Sequence, residues 1–162
     1  MRRVLAAMRG ADIAVRPVGA EEGERLYAWR NDPRTRRYAR DPRPLALDAH
    51  LAWFRRALAS DRHILLMGEC AGAAIGVLRF DLDGDRARIS IYLDPARHGE
   101  GLGAPLLAAG SAWLAAHRPR LRMIEAEVLA ANSASHAIFL RAGFAECARH
   151  YRLDLSALRK QP

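Results

Sequence analysis

The sequence predicts an α/β fold on a mixed sheet, an α+β arrangement in the order β-α-α-β-β-β-α-β-α-β. Three observations predict it. Three short apolar strands follow one another between Ile64 and Leu93, with the hairpin signal Asp83-Gly84-Asp85 between the last two. A glycine-rich turn, Gly99 to Gly103, then opens a long helix. A strand, a helix and a closing strand come after it. That is a β-α-β crossover added to an antiparallel meander, not a regular alternation of strand and helix.

Each element has its own local reason. Ile13 to Val18 reads as a strand closed by Pro17. Glu21 to Trp29 reads as a helix with Leu26 and Trp29 on one face, stopped by Asn31-Asp32-Pro33. Asp48 is the expected N-cap of a second helix through Ala59, with Leu51, Phe54 and Leu58 as its apolar stripe. The three strands are Ile64–Met67, Ala74–Leu82 and Ala87–Leu93. The long helix runs to about His117 and is ended by Pro119. Arg122–Leu129 is the next strand and Ser133–Ala142 the next helix, with Gly143 as its C-terminal cap. Arg149–Leu155 closes the sheet, with Tyr151, Leu153 and Leu155 on one face.

The 162 residues make one domain's worth of chain, and 51% of them are hydrophobic. A chain of this size buries roughly two-thirds of its unfolded surface, which excludes intrinsic disorder. We expect a loose arm over residues 1–11, a single domain over 12–157 and a tail over 158–162. The apolar stretch Val4–Met8 is shorter than the about 7–15 residues of a secretory signal. No apolar run approaches the ~18 residues that cross a bilayer. Cys70 and Cys147 lie far apart and in no C-x-x-C pair, so neither a disulfide framework nor a zinc ribbon is expected. The expectation is a cytoplasmic protein with no metal and no membrane partner.

The formal charge is +8, and 25 of the 26 basic residues are Arg. Such a balance suits anionic partners: nucleic acid, acidic membrane or phosphorylated small molecules. The cluster Arg34, Arg36, Arg37, Arg40 and Arg43 favours nucleic acid. Against it, no helix-turn-helix, zinc or RNA-binding pattern appears, and few aromatics interleave with the arginines. No nucleic-acid partner is expected.

The sharpest local feature is Arg97-His98-Gly99-Glu100-Gly101-Leu102-Gly103. Three glycines in five residues leave backbone N–H groups unobstructed at a helix N-terminus, where the dipole is positive. This suits a pyrophosphate, and Arg97 can add a charge-assisted bond. The spacing is neither a Walker loop, which ends Gly-Lys-Ser/Thr, nor the G-x-G-x-x-G of a dinucleotide fold. A ligand-free turn remains the alternative. Beyond the next strand stand Asn132-Ser133-Ala134-Ser135, then Phe139 and Gly143-Phe144. Asn132 or Ser133 can be an N-cap, and the two Phe read as core.

Taken together, these motifs resemble the GNAT superfamily of acetyl-CoA-dependent N-acetyltransferases over residues 13 to 155. The usual loop there is Gln/Arg-x-x-Gly-x-Gly/Ala. His98, Gly101 and Gly103 occupy those places, with His98 departing from the pattern and Arg97 beside it. The resemblance implies acetyl-CoA as co-substrate. Its pyrophosphate would sit on the amides of His98, Gly99, Glu100, Gly101, Leu102 and Gly103. Its pantetheine would lie along Ile91-Tyr92-Leu93, in a gap where that strand and Arg122–Leu129 splay apart. Asn132, Ser135 and Phe139 would line the thiol end.

Acetyl transfer to nitrogen needs a neutral amine beside the thioester carbon. The oxyanion needs a donor, for which we select the backbone N–H of Leu93; one such donor contributes about 3 kcal/mol. Proximity supplies ~7–11 kcal/mol more. For the base we select Glu127, acting through water, the alternative being that it pairs with an arginine. His50 is second, the alternative being a buried structural histidine. Relatives protonate the thiolate with a Tyr seven residues after the Asn; Phe139 stands there and has no proton to give. Tyr92, Tyr151 and Ser135 are the open substitutes.

The first 60 residues should shape the acceptor pocket. Trp29-Arg30-Asn31-Asp32-Pro33, Thr35-Arg36, His50 with Trp53-Phe54, and the stretch Ile75–Asp81 look like the branch that acetylates the 4-amino group of a UDP-linked amino sugar in pseudaminic acid synthesis. Arg30, Arg34 and Arg37 could then meet a diphosphate, and Trp29 or Trp53 could stack on a ring. Equally, the tryptophans are core and the arginines solvated. Ribosomal-protein N-terminal acetyltransferases have a similar Trp-Arg-Asn stretch and are the rival resemblance. A non-catalytic acyl-CoA sensor and a homodimer stay open.

Overall fold

The computed structural model describes residues 12–148. The expected arm over 1–11, the strand Arg149–Leu155 with Tyr151, and the tail over 158–162 lie outside the described residues. Five strands form one sheet in the order β1 (Ile13–Pro17), β2 (His63–Cys70), β3 (Ala73–Asp83), β4 (Arg86–Leu93) and β5 (Met123–Ala126). The first four pair antiparallel and β4 pairs with β5 in parallel. A parallel pair cannot be joined by a tight turn, and the helix α4 (Gly103–His117) supplies the crossover. The mixed α/β class read from the sequence is the observed one.

Two helical layers explain why the central strands are apolar without alternation. On one sheet face α4 and α5 (Ser133–Arg141) cover Ile64, Leu66, Leu78, Phe80 and Ile89. On the other face α1 (Gly23–Asn31) and α3 (Leu47–Leu58) cover Leu65, Met67 and Val77. Successive side chains of β2 therefore enter different cores, and the run Ile64-Leu65-Leu66-Met67 is buried throughout.

Several boundaries differ from the sequence reading. Residues 20–22 form a 3-10 turn, and α1 begins at Gly23 rather than Glu21. The Glu22 carboxylate accepts from the Gly19 N–H at 2.8 Å and from Arg16 at 2.8 and 2.9 Å, which closes that tight first turn. Asn31-Asp32-Pro33 does not simply stop the chain. Asp32 accepts from the Arg34 N–H and caps a single further turn, α2 (Pro33–Arg36), with Pro33 in the first helical position. Asp48 is not an N-cap; Ala46 holds that position, and Asp48 lies in the first turn where its charge suits the dipole. Leu58 is 37% exposed, and the buried stripe of α3 is His50, Phe54 and Ala57. β5 is four residues long, half the expected strand.

Candidate active site

β4 runs to Leu93, but its pairing with β5 ends at Ile89 opposite Ala126. From Ser90 to Leu93 the β5-facing edge is open, because β5 stops and the chain leaves the sheet. The hydrogen-bond phase on the other edge says which groups face this gap. The Asp94 N–H donates to Ile75 at 2.8 Å, so the opposed pair 75/94 exchanges bonds and the next pair, Gly76 and Leu93, does not. The backbone N–H and C=O of Leu93, and two residues earlier of Ile91, therefore turn away from β3 toward the gap. Neither strand sequence contains this fact; it follows from pairing.

The glycine loop leads directly from the end of β4. Asp94 caps a 3-10 turn, Pro95–Arg97, by accepting from the Ala96 N–H. Gly99 and Gly101 follow with φ of 87° and 76°, the left-handed region where a side chain is strained. A Cβ on either would meet nothing within 4 Å, so these glycines serve backbone shape rather than close packing. Gly103 is different. A Cβ there would lie 2.8 Å from Ile138 Cδ1, so its hydrogen lets α4 sit tightly on α5. The α4 N-terminus has no side-chain cap, and Pro105 lacks an N–H. The first-turn amides are thus presented outward beside the loop, which fits a pyrophosphate. The Arg97 Nε is 2.7 Å from Glu100 Oε2. That bond holds the guanidinium above its ordinary pKa and also offsets the charge an incoming phosphate would meet.

On the far side of the gap, Asn132 Oδ1 accepts from the Ser135 N–H at 3.1 Å and caps α5. Phe139 is buried and meets Phe144 edge-on at 5.0 Å between ring centroids. It belongs to the core. Glu127 lies just past β5, half exposed, and its carboxylate is bound by Arg40.

The acceptor-side residues divide. Trp29 is buried in the second core, with an edge on a cavity of about 450 Å³ that Arg25, Glu69 and Asp94 also line. The Asn31 amide spans the Leu45 backbone, accepting from its N–H at 2.8 Å and donating to its carbonyl at 3.2 Å. It ties the long α2–α3 connection to α1. His50 is buried among Tyr27, Trp53 and Phe54 with Nε2 3.2 Å from the Gly23 carbonyl; burial lowers its pKa and keeps it neutral. Arg34 is held by Asp32, and Arg37 lies over Tyr38. Arg30 is the one that turns inward, toward Tyr92 and Arg79.

A family model described as an acetyltransferase (GNAT) domain matches residues 12–145. The chain belongs to the GNAT acetyltransferases. It is an acetyl-CoA-dependent N-acetyltransferase, and acetyl-CoA is its co-substrate. A search of the curated proteins finds no match. Among solved structures, the fold is similar to an aminoglycoside acetyltransferase, AAC(6')-Ib, in complex with coenzyme A and kanamycin. That pair has 19% identity and a TM-score of 0.72, over 83% of this chain and 84% of that one. It is also similar to a spermidine N-acetyltransferase from Vibrio cholerae in complex with coenzyme A and spermine (16% identity, TM-score 0.74, 84% and 82% covered). A third is RimL, a ribosomal L7/L12 α-N-protein acetyltransferase in complex with coenzyme A (18% identity, TM-score 0.70, 82% and 79% covered).

Sequence reasoning missed Arg79 and Arg40. Arg79 stands between Leu78 and Phe80, so its side chain faces the α1/α3 layer, and a charge on that inner face was the available signal. Arg40 gave none, because only the fold brings residue 40 to residue 127. Among the described residues no helix is long and apolar enough to cross a membrane, and no group of three or more His, Cys, Asp or Glu could hold a metal ion.

Proposed function

We propose that this GNAT enzyme acetylates the amino group of a nucleotide-linked amino sugar, a UDP-linked 4-amino sugar being the leading acceptor. The open edge of β4 at Ile91 and Leu93, leading into the Gly99–Gly103 loop, supports the acetyl-CoA half of the reading, and the buried unpartnered nitrogen of Arg30 is the observation that carries an anionic acceptor. In this reading the loop amides, with His98, Glu100, Leu102 and Arg97, hold the pyrophosphate. The Ile91 and Leu93 backbone takes the pantetheine as an added strand would be taken. The Leu93 N–H receives the developing oxyanion.

The amine must reach the thioester as a free base. Glu127 accepts its proton through a water once Arg40 moves aside. The exposed Arg40–Glu127 pair is a weak tie and permits that movement. Attack forms the C–N bond, the nitrogen gives its extra proton to water, the oxyanion collapses to the amide, and the C–S bond breaks to give a thiolate. Solvent at the rim near Ser135 protonates it, since Phe139 is packed in the core. Tyr92 holds its own proton: burial pushes its pKa well above the usual tyrosine range. On the acceptor side Arg30 contacts the substrate, while Trp29, Asn31 and His50 fix the wall behind it.

The test is incubation with acetyl-CoA and either a UDP-4-amino sugar or a basic peptide, following free thiol. Thiol release with the sugar is expected. Acetylation of the peptide with none of the sugar would overturn the reading in favour of an N-terminal acetyltransferase.

A further inference from the structure

Among the described residues four buried side-chain polar atoms have no hydrogen-bond partner, and two of them are Arg30 Nη1 and Arg79 Nε. They come from α1 and β3: Arg79 and Tyr92 are diagonal neighbours on one face of the sheet, since Val77 pairs with Tyr92 and Arg79 with Ser90, and α1 packs on β4. Burial lowers the Arg30 pKa; Tyr92 and Asp41 act in the opposite direction, and Arg79 and Arg36 add to the lowering. Most other arginines of this region are already matched: Arg34 by Asp32, Arg43 by Asp41, Arg40 by Glu127. Arg79 has Asp81 at 3.0 Å for one nitrogen, but Asp81 is shared with His63. Arg30 has no ion pair among the described residues. Two cations held close together and partly out of water are unfavourable unless an anion joins them.

The position is also telling. Ile91 and Leu93 pack against the α4/α5 core, so Tyr92 between them points to the α1/α3 face. The Arg79 guanidinium lies 5.5 Å from the centre of the Trp53 ring, which fixes its plane.

We propose that Arg30, Arg79 and Tyr92 form a subsite for an anionic group, phosphate or carboxylate, carried by the acceptor amine. This rests on the transferase reading above and adds the charge its acceptor must have. A phosphate oxygen takes N–H bonds from both guanidinium groups and the O–H of Tyr92. The same two cations repel a polyamine or a polycationic aminoglycoside, so the acceptor differs in charge from spermine and kanamycin.

Two measurements test it. Inorganic pyrophosphate is titrated into protein saturated with CoA, so that the glycine loop is occupied, and Trp fluorescence is read. One binding event is expected, weakened roughly ten- to a hundredfold in Arg30→Gln and in Arg79→Gln. Turnover is then compared for an amino sugar linked to a nucleoside diphosphate, the same sugar free, an α-amino acid and spermidine. The anionic acceptors should have the higher kcat/KM, the phosphate and carboxylate arms naming the source of the charge, and Arg30→Gln should erase the difference while leaving CoA affinity unchanged. Equal turnover of free sugar overturns the subsite and leaves an amino-sugar acceptor standing, whereas preference for spermidine overturns both the subsite and the amino-sugar reading. Arginine-dependent pyrophosphate binding with no amine acetylated leaves the subsite standing and overturns the amino-sugar acceptor. Thermal unfolding separates a structural role: Arg30 has no ion pair among the described residues, so Arg30→Gln should leave Tm equal or higher, and a fall in its Tm with unchanged pyrophosphate affinity overturns the proposal.

Discussion

At the scale of single residues, the site depends on a few backbone positions more than on reactive side chains. Gly101 has positive φ and open space around it, so a larger residue there is strained without clashing. Gly101→Ala should weaken CoA modestly, whereas Gly101→Asp sets a carboxylate in the anion cradle and should abolish binding, both read by calorimetry. Unchanged CoA affinity in Gly101→Asp would remove the loop from the site. Glu127 is the opposite kind of residue, chosen for its chemistry and found tied to Arg40. Glu127→Gln should lower kcat with little change in CoA affinity. A normal rate at neutral pH would clear Glu127 of any base role. The loop glycines were legible in the sequence because their spacing is local. The Arg40 pairing was not, because 87 residues separate the partners.

At the scale of elements, helix ends and helix–sheet contacts decide whether the two walls of the gap stay in place. Gly143 has φ of 91°, its N–H donates to Leu140, and the Phe144 N–H donates to Phe139 at 3.0 Å. This is a Schellman ending in which Phe139 and Phe144 make the accompanying apolar contact. Gly143→Ala should cost about 1 kcal/mol by strain at positive φ. The drop should appear in Tm, with the loop's CoA affinity retained. Gly110 matters by space instead: a Cβ would lie 2.0 Å from Leu78 Cδ1, where α4 crosses the sheet. Gly110→Val should destabilise by about 1–3 kcal/mol or more through overpacking, measured by denaturant unfolding. The sequence marked Gly143 by its place after an amphipathic helix. It gave no such sign for Gly110, a mid-helix glycine whose need arises from the facing strand.

At the scale of the whole molecule, stability should fall with acid for two reasons of the same sign. His50 is buried, which lowers its folded pKa below the usual value of about 6.5. The unfolded chain then binds the proton first, so this stability is complete above that value and declines as pH falls below it. The bond from Arg16 lowers the Glu22 pKa, so its contribution is present above the ordinary carboxylate range and is lost as pH falls through the folded value. Tm should therefore fall as pH drops below about 6.5, and less so in His50→Phe, with a second drop below the ordinary carboxylate range. An unchanged slope in His50→Phe would clear His50 of that part. The sequence by itself determined the order of elements from β1 to α5, the short α2 turn apart, and the glycine loop, because periodicity, turn chemistry and helix starts are written in neighbouring residues. Only the tertiary structure decided where β5 leaves β4, which backbone groups face that gap, and that among the described arginines Arg30 and Arg79 each bury a nitrogen with no hydrogen-bond partner. Those properties depend on pairing register and on contacts between distant segments, and no local pattern encodes them.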